Sequence, residues 1–127
     1  MTALAGVHIL IVEDDALVAG MLADMLTELG AVVVGPAPSV AEGMSLATGE
    51  EIDVAILDVR LRGERVDPIA LALRTRGIPT VFTTGYRRGI EGIAPDAPLL
   101  DRPYSEQRLR DVLLRLLGAG RPRQQPV

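Results

Sequence analysis

The chain has 127 residues, 48% of them hydrophobic but only 2% aromatic, so it fits one domain whose core must be aliphatic. With 13 basic against 17 acidic side chains the net charge is −4, which argues against general affinity for nucleic acid or acidic membranes. No cysteine is present, which excludes a disulfide framework and thiol chemistry. No apolar run approaches a membrane span, and Met1–Val7 lacks the basic and apolar regions of a signal peptide. The expectation is a cytoplasmic single domain.

In chain order, His8–Val12 is an aliphatic run of strand length that ends in three acids, Glu13, Asp14 and Asp15. From Ala16 to Leu29 apolar residues recur at helical spacing (Leu17, Val18, Met21, Leu22, Met25, Leu26, Leu29), with Asp15 as N-cap and Gly30 as stop. His8, the only histidine, reads as a solvated or packed side chain. Ala31–Gly35 is a short second strand closed by Pro36-Ala37-Pro38. Ser39 caps a second helix, Val40–Thr48, with Glu42 completing a capping box. Val54–Leu57 is the third strand, apolar throughout as a central parallel strand buried on both faces would be. It stops at Asp58, ahead of a loop carrying Gly63. A third helix covers Pro68–Arg76 and ends at Gly77, and a fourth strand, Thr80–Thr83, leads to Thr84-Gly85-Tyr86. Arg87–Ala94 is weak as a helix because it contains Gly89 and Gly92 and precedes Pro95. Ala97–Leu100 is a fifth strand, followed by Asp101-Arg102-Pro103-Tyr104. Ser105 caps a last helix whose stripe is Leu109, Val112, Leu113, Leu116 and Leu117 and whose stop is Gly118. Residues 119–127 read as a disordered tail beyond a domain of residues 1–118.

Five strands alternating with helices imply an α/β fold with a doubly wound parallel sheet. Right-handed crossovers place all the strand tips on one edge, where such folds bind ligands. Glu13 and Asp14 follow the first strand, Asp58 the third, Thr84 the fourth and Arg102 the fifth, so one site could collect them. Asp58 alone could be a metal ligand, a nucleophile or a loop cap. Clustered carboxylates repel unless a cation offsets them, and three of them offer hard oxygen ligands to a divalent ion such as magnesium. A hydroxyl and a cation beside them suit a bound phosphoryl group.

With those residues in hand, the chain resembles the receiver domain of two-component response regulators, the CheY-like fold with strand order 2-1-3-4-5. The resemblance runs from Val7 to about Gly118. It rests on Glu13-Asp14 after strand one, Asp58 after strand three, Thr84-Gly85 after strand four, and Arg102-Pro103 where the family has Lys-Pro. Phe82-Thr83-Thr84-Gly85-Tyr86 also resembles a Phe-x-Thr-Gly-Tyr subgroup of stand-alone receivers. The resemblance implies that Asp58 accepts a phosphoryl group from the phosphohistidine of a sensor histidine kinase or phosphotransfer protein. It further implies magnesium held by Glu13, Asp14, Asp58 and the backbone carbonyl of Arg60, with Thr84 and Arg102 on the phosphoryl oxygens. The partners implied are that kinase and a downstream protein target, with no nucleic acid and no membrane. The activity implied is self-phosphorylation and slow dephosphorylation, not enzymatic turnover. Leu99 stands where the family has its switching aromatic, which leaves Tyr86 either to relay a change at Thr84 to Arg87–Ala94 or simply to pack its ring over the sheet edge. An aspartate-nucleophile phosphatase would need an acid two residues after Asp58, where Arg60 stands. A flavin mononucleotide module would find its phosphate repelled by Glu13-Asp14-Asp15. A degenerate receiver that only binds proteins, without phosphorylation, is the remaining alternative.

Overall fold

In the computed structural model, which describes residues 3–84 and 98–118, the aliphatic runs form the middle of a parallel sheet and the periodic segments cover its two faces. The sheet strands are β1 (His8–Val12), β2 (Val32–Ala37), β3 (Val54–Asp58), β6 (Thr80–Thr84) and β7 (Leu99–Asp101). They lie in the order β2-β1-β3-β6-β7 with every pairing parallel, the 2-1-3-4-5 arrangement when sheet strands alone are counted. The helices are α1 (Ala16–Glu28), α2 (Val40–Gly49), α3 (Asp67–Thr75) and α4 (Glu106–Gly118). Two short strands, β4 (Arg60–Leu61) and β5 (Glu64–Arg65), form a separate antiparallel hairpin.

Alternation along the strands builds two cores. Leu10, Val12, Ala55, Leu57 and Phe82 face one side, where Ala47 of α2 and Ile69 and Leu73 of α3 close over them. Ile9, Ile11, Val54, Ile56 and Val81 face the other, under Leu22 and Leu26 of α1 and Leu109, Val112 and Leu113 of α4. A period of two, with both sets apolar, is what distinguishes a doubly covered sheet from one with a wet face. Every residue of β3 is buried.

Several boundaries move for identifiable reasons. β2 continues through Gly35–Pro36 to Ala37 rather than stopping at Gly35. It is an edge strand, where a missing N–H is tolerated, and its register against β1 shifts between Leu10 and Val12. α2 has half of the expected capping box. The Glu42 N–H donates to Ser39 Oγ at 3.2 Å, while Glu42 Oε1 accepts from the Ser39 hydroxyl at 3.5 Å instead of reaching the Ser39 backbone. The apolar stripe of α1 is wider than its buried face, since Leu17 and Met21 are 73% and 61% exposed. The first residues are part of the fold: Leu4 is fully buried, and its N–H donates to the Leu29 carbonyl at 2.9 Å. His8 is tied to the residue just ahead of β3, its backbone N–H donating to Asp53 Oδ2 at 2.9 Å. Gly85, Tyr86, the segment Arg87–Ala94 and the tail 119–127 lie outside the described residues. Among the described residues no helix is long and apolar enough to cross a membrane.

Candidate functional site

β1 hands the chain to the site at its carboxyl end. The Glu13 N–H donates to the Ala37 carbonyl at 2.9 Å, so the extra length of β2 is what fixes Glu13 beside the sheet edge. Its side chain is buried, and its Oε2 accepts the Asp15 N–H at 3.0 Å. Asp15 itself turns away to cap α1, its Oδ1 accepting from Leu17 N–H and Val18 N–H at 3.0 and 3.2 Å, as its place ahead of the helix implied. Asp14 faces the hairpin instead: its Oδ2 accepts the Arg62 N–H at 2.7 Å.

Asp58 is the last residue of β3 and pairs with Thr83 of β6. It is 7% exposed although it stands at the rim. Oxygens of Glu13, Asp14 and Asp58 all lie within 4.8 Å of one another. That is close to the ~4.2 Å between opposite ligands of one magnesium ion, so three hard donors from two strand tips fit a single divalent cation. Thr84 ends β6, buried, and its carbonyl accepts the Arg102 N–H at 3.0 Å, which sets the fifth strand tip against the fourth. The Arg102 guanidinium then reaches back over the acids. Its Nη1 donates to Glu13 Oε1 at 3.3 Å and its Nη2 lies 3.6 Å from Asp58 Oδ1. Arg60 opens the hairpin, paired with Arg65.

The electrostatics follow from this crowding. Burial pushes the Glu13 carboxyl up to about 7 from 4.5, with Asp58 and Asp14 adding to it and the Asp15 N–H and Arg102 opposing it. Burial likewise raises the Tyr104 phenol, against the pull of Arg102. Beside the acids, Pro103 and Tyr104 join Val18, Met21, Leu22 and Met25 of α1 around an apolar groove of about 400 Å³ that Arg102 also lines.

Sequence reasoning missed the hairpin. Arg62 (φ +50°) and Gly63 (φ +85°) form its two-residue turn with both residues left-handed, and Leu61 buries behind it. Gly63 between two short runs was the available signal, but Arg at the first turn position hides it.

No protein-family model matches the chain. The structure superposes on a response regulator receiver protein from Sinorhizobium medicae (TM-score 0.81, 24% identity, 91% of this chain and 98% of that one). It also superposes on the receiver domain of the sensor histidine kinase PA1611 from Pseudomonas aeruginosa, solved with magnesium coordinated in the active site cleft (TM-score 0.79, 24% identity, 91% and 100%). At that identity these two show the fold. SdrG from Sphingomonas melonis is nearer in sequence, at 40% identity over 92% of this chain and 99% of its own, with a TM-score of 0.79. This chain is a response regulator receiver domain. A curated relative, the transcriptional regulatory protein PdtaR of Mycobacterium tuberculosis, is 34% identical over 103 residues, 77% of this chain. The receiver spans about half the length of PdtaR. Receivers of this kind are signalling modules that work with histidine kinases and downstream targets.

Proposed function

We propose that this receiver takes a phosphoryl group from the phosphohistidine of a sensor kinase onto Asp58, in a magnesium-dependent reaction, and signals through the change that follows. The observation that carries the reading is the convergence of Glu13, Asp14 and Asp58 within 4.8 Å, with the Arg102 guanidinium against two of them. Asp58 Oδ attacks the phosphorus, the phosphorus–nitrogen bond breaks, and the imidazole leaves with the electron pair, so the product is an aspartyl phosphate. Glu13, Asp14, Asp58 and the Arg60 carbonyl would hold magnesium, which supplies neutralisation of the charge gathering on the phosphoryl oxygens. Arg102 would pair with one of those oxygens through its fork, and Thr84 would donate its hydroxyl to another. The burial of Asp58 would limit the access of bulk water to the acyl phosphate.

Labelling with acetyl phosphate tests this. Wild type should acquire one phosphoryl group only with magnesium present, and Asp58→Asn should acquire none. Mass spectrometry that places the group on Asp14 or Asp15, or labelling unaffected by chelation, would overturn the assignment.

A further inference from the structure

Among the described residues Arg62 is the one non-glycine with a left-handed backbone (φ +50°). At the first position of a two-residue hairpin turn, Asn, Asp or Gly adopts that conformation readily, whereas a long side chain adopts it under strain. Local backbone preference therefore does not account for an arginine here, and a task for its side chain does. The place of the residue indicates the task. Asp14 Oδ2 accepts the Arg62 N–H at 2.7 Å, and oxygens of Asp14 and Asp58 lie within 4.8 Å of each other. The side chain thus leaves the backbone two contacts from the acceptor, and it is exposed. It is also uncommitted. Arg65 pairs with Asp67, and Arg102 with Glu13 and Asp58, whereas Arg62 makes no ion pair among the described residues.

We propose that Arg62 is a positioning residue for the phosphodonor, its free cation drawing the anionic phosphoryl group to the mouth of the site. This rests on the phosphorylation reading above and deepens it. A donor phosphoryl group is negative, and it must approach three carboxylates in a chain of net charge −4. The charge of Arg102 is already offset by the two acids it touches. Arg62 supplies one that is not. An exposed charge acts over ~8–10 Å at ordinary ionic strength, which raises both the local concentration of an anion and its rate of arrival. Arg62 itself makes and breaks no bond. With acetyl phosphate as donor, the bond from Asp58 Oδ to phosphorus forms as the phosphorus–oxygen bond to the acetyl group breaks, and acetate leaves with the electron pair.

The test is the rate of labelling by acetyl phosphate in saturating magnesium, followed by intact mass, for wild type, Arg62→Asn and Arg62→Lys. Asparagine suits a left-handed turn and keeps the backbone N–H that Asp14 accepts, so it removes the charge and leaves the hairpin. At low salt Arg62→Asn should label roughly threefold more slowly than wild type, and Arg62→Lys should label like wild type. The three rates should converge in ~1 M salt, where the Debye length falls to ~3 Å. Magnesium affinity, measured by calorimetry at low salt, should not fall with the rate. Arg62→Asn should bind the ion as tightly as wild type or tighter, because a nearby cation has gone. A hairpin that let go of Asp14 would instead lower affinity and rate together, so weaker magnesium binding by Arg62→Asn overturns the proposal. So does a wild-type rate in Arg62→Asn at low salt, a deficit undiminished at high salt, or an equal deficit in Arg62→Lys. In each of these cases wild-type labelling at Asp58 leaves the phosphorylation reading standing. No labelling of wild type overturns both.

Discussion

Glu13 is held between opposing influences. Burial raises its carboxyl to about 7 and the neighbouring acids raise it further, while Arg102 and the Asp15 N–H hold it down. Because the folded-state value lies above the ordinary 4.5, the folded protein binds this proton more tightly than the unfolded chain does. The stabilisation is fully present below about 4.5 and is lost as pH rises through about 7. In chelator, urea unfolding at pH 5 and pH 8 should therefore show wild type losing more stability than Glu13→Gln over that interval. The variant, which carries no charge to bury, should be the more stable of the two at pH 8. Parallel pH profiles for the two proteins would mean that the site relaxes around the charged carboxylate. At this scale the sequence was legible where one residue acts on its own neighbours. Asp15 beside Ala16 reads directly as a cap, and its Oδ1 does accept the first helical N–H groups. It was not legible where the partner lies far along the chain: the Asp14 bond to the Arg62 N–H spans 48 residues, and Arg102 reaches Glu13 across 89.

Among the elements, the doubly covered strands were the most legible, because β1 and β3 are apolar at both parities and only a parallel sheet buried on both faces uses such runs. Helix faces were less so. Hydrophobicity marks Leu17 and Met21 as core, yet both are exposed, and Met21 borders the groove formed with Pro103 and Tyr104. Two glycines make the packing testable. Gly20 is exposed in α1 with nothing within 4 Å of an added Cβ, so Gly20→Ala should stabilise by ~0.5–1 kcal/mol through helix propensity. Gly43 is buried in α2, and a Cβ there would lie 2.6 Å from Ile69 Cδ1. Ile69 is itself fully buried and cannot swing into solvent. Overpacking of ~1–3 kcal/mol then outweighs the same propensity gain, and Gly43→Ala should destabilise. Chemical denaturation of the pair should give opposite signs, and a stabilised Gly43→Ala would show that α2 and α3 can slide apart. The hairpin permits a third comparison. Gly63 is left-handed, so Gly63→Ala strains the turn by ~1 kcal/mol. The Arg62 N–H in that turn is held by Asp14, so the same substitution should also weaken magnesium binding, seen by calorimetry, although Gly63 carries no ligand.

For the molecule as a whole, the carboxyl edge of the sheet concentrates negative charge in a protein whose net charge is already −4. Three acids meet there, two of them buried, and Arg102 is only half-buried against them. Such an arrangement is held together by the two cores beneath it rather than by the site itself: β3 delivers Asp58 because Leu57 locks into the α2–α3 side and Ile56 into the α1–α4 side. Charge assembled in this way is a standing destabilisation that a divalent cation relieves, so binding and global stability must be linked. An ion that binds only the folded state adds ~2.7 kcal/mol at one hundred times its dissociation constant. For a domain of this length that corresponds to a melting temperature roughly 10 °C higher, at ~3–5 °C per kcal/mol. Calorimetric scans with and without magnesium should show the increase, chelator should reverse it, and sodium at equal ionic strength should not reproduce it, because screening falls short of coordination. Asp14→Asn separates the two parts of the argument. It removes one like charge, so its metal-free melting temperature should equal or exceed that of wild type, while the rise on adding magnesium should largely vanish. A variant that melts lower without metal yet keeps the full magnesium shift would mean that Asp14 serves the hairpin through Arg62 and that the ion is held elsewhere.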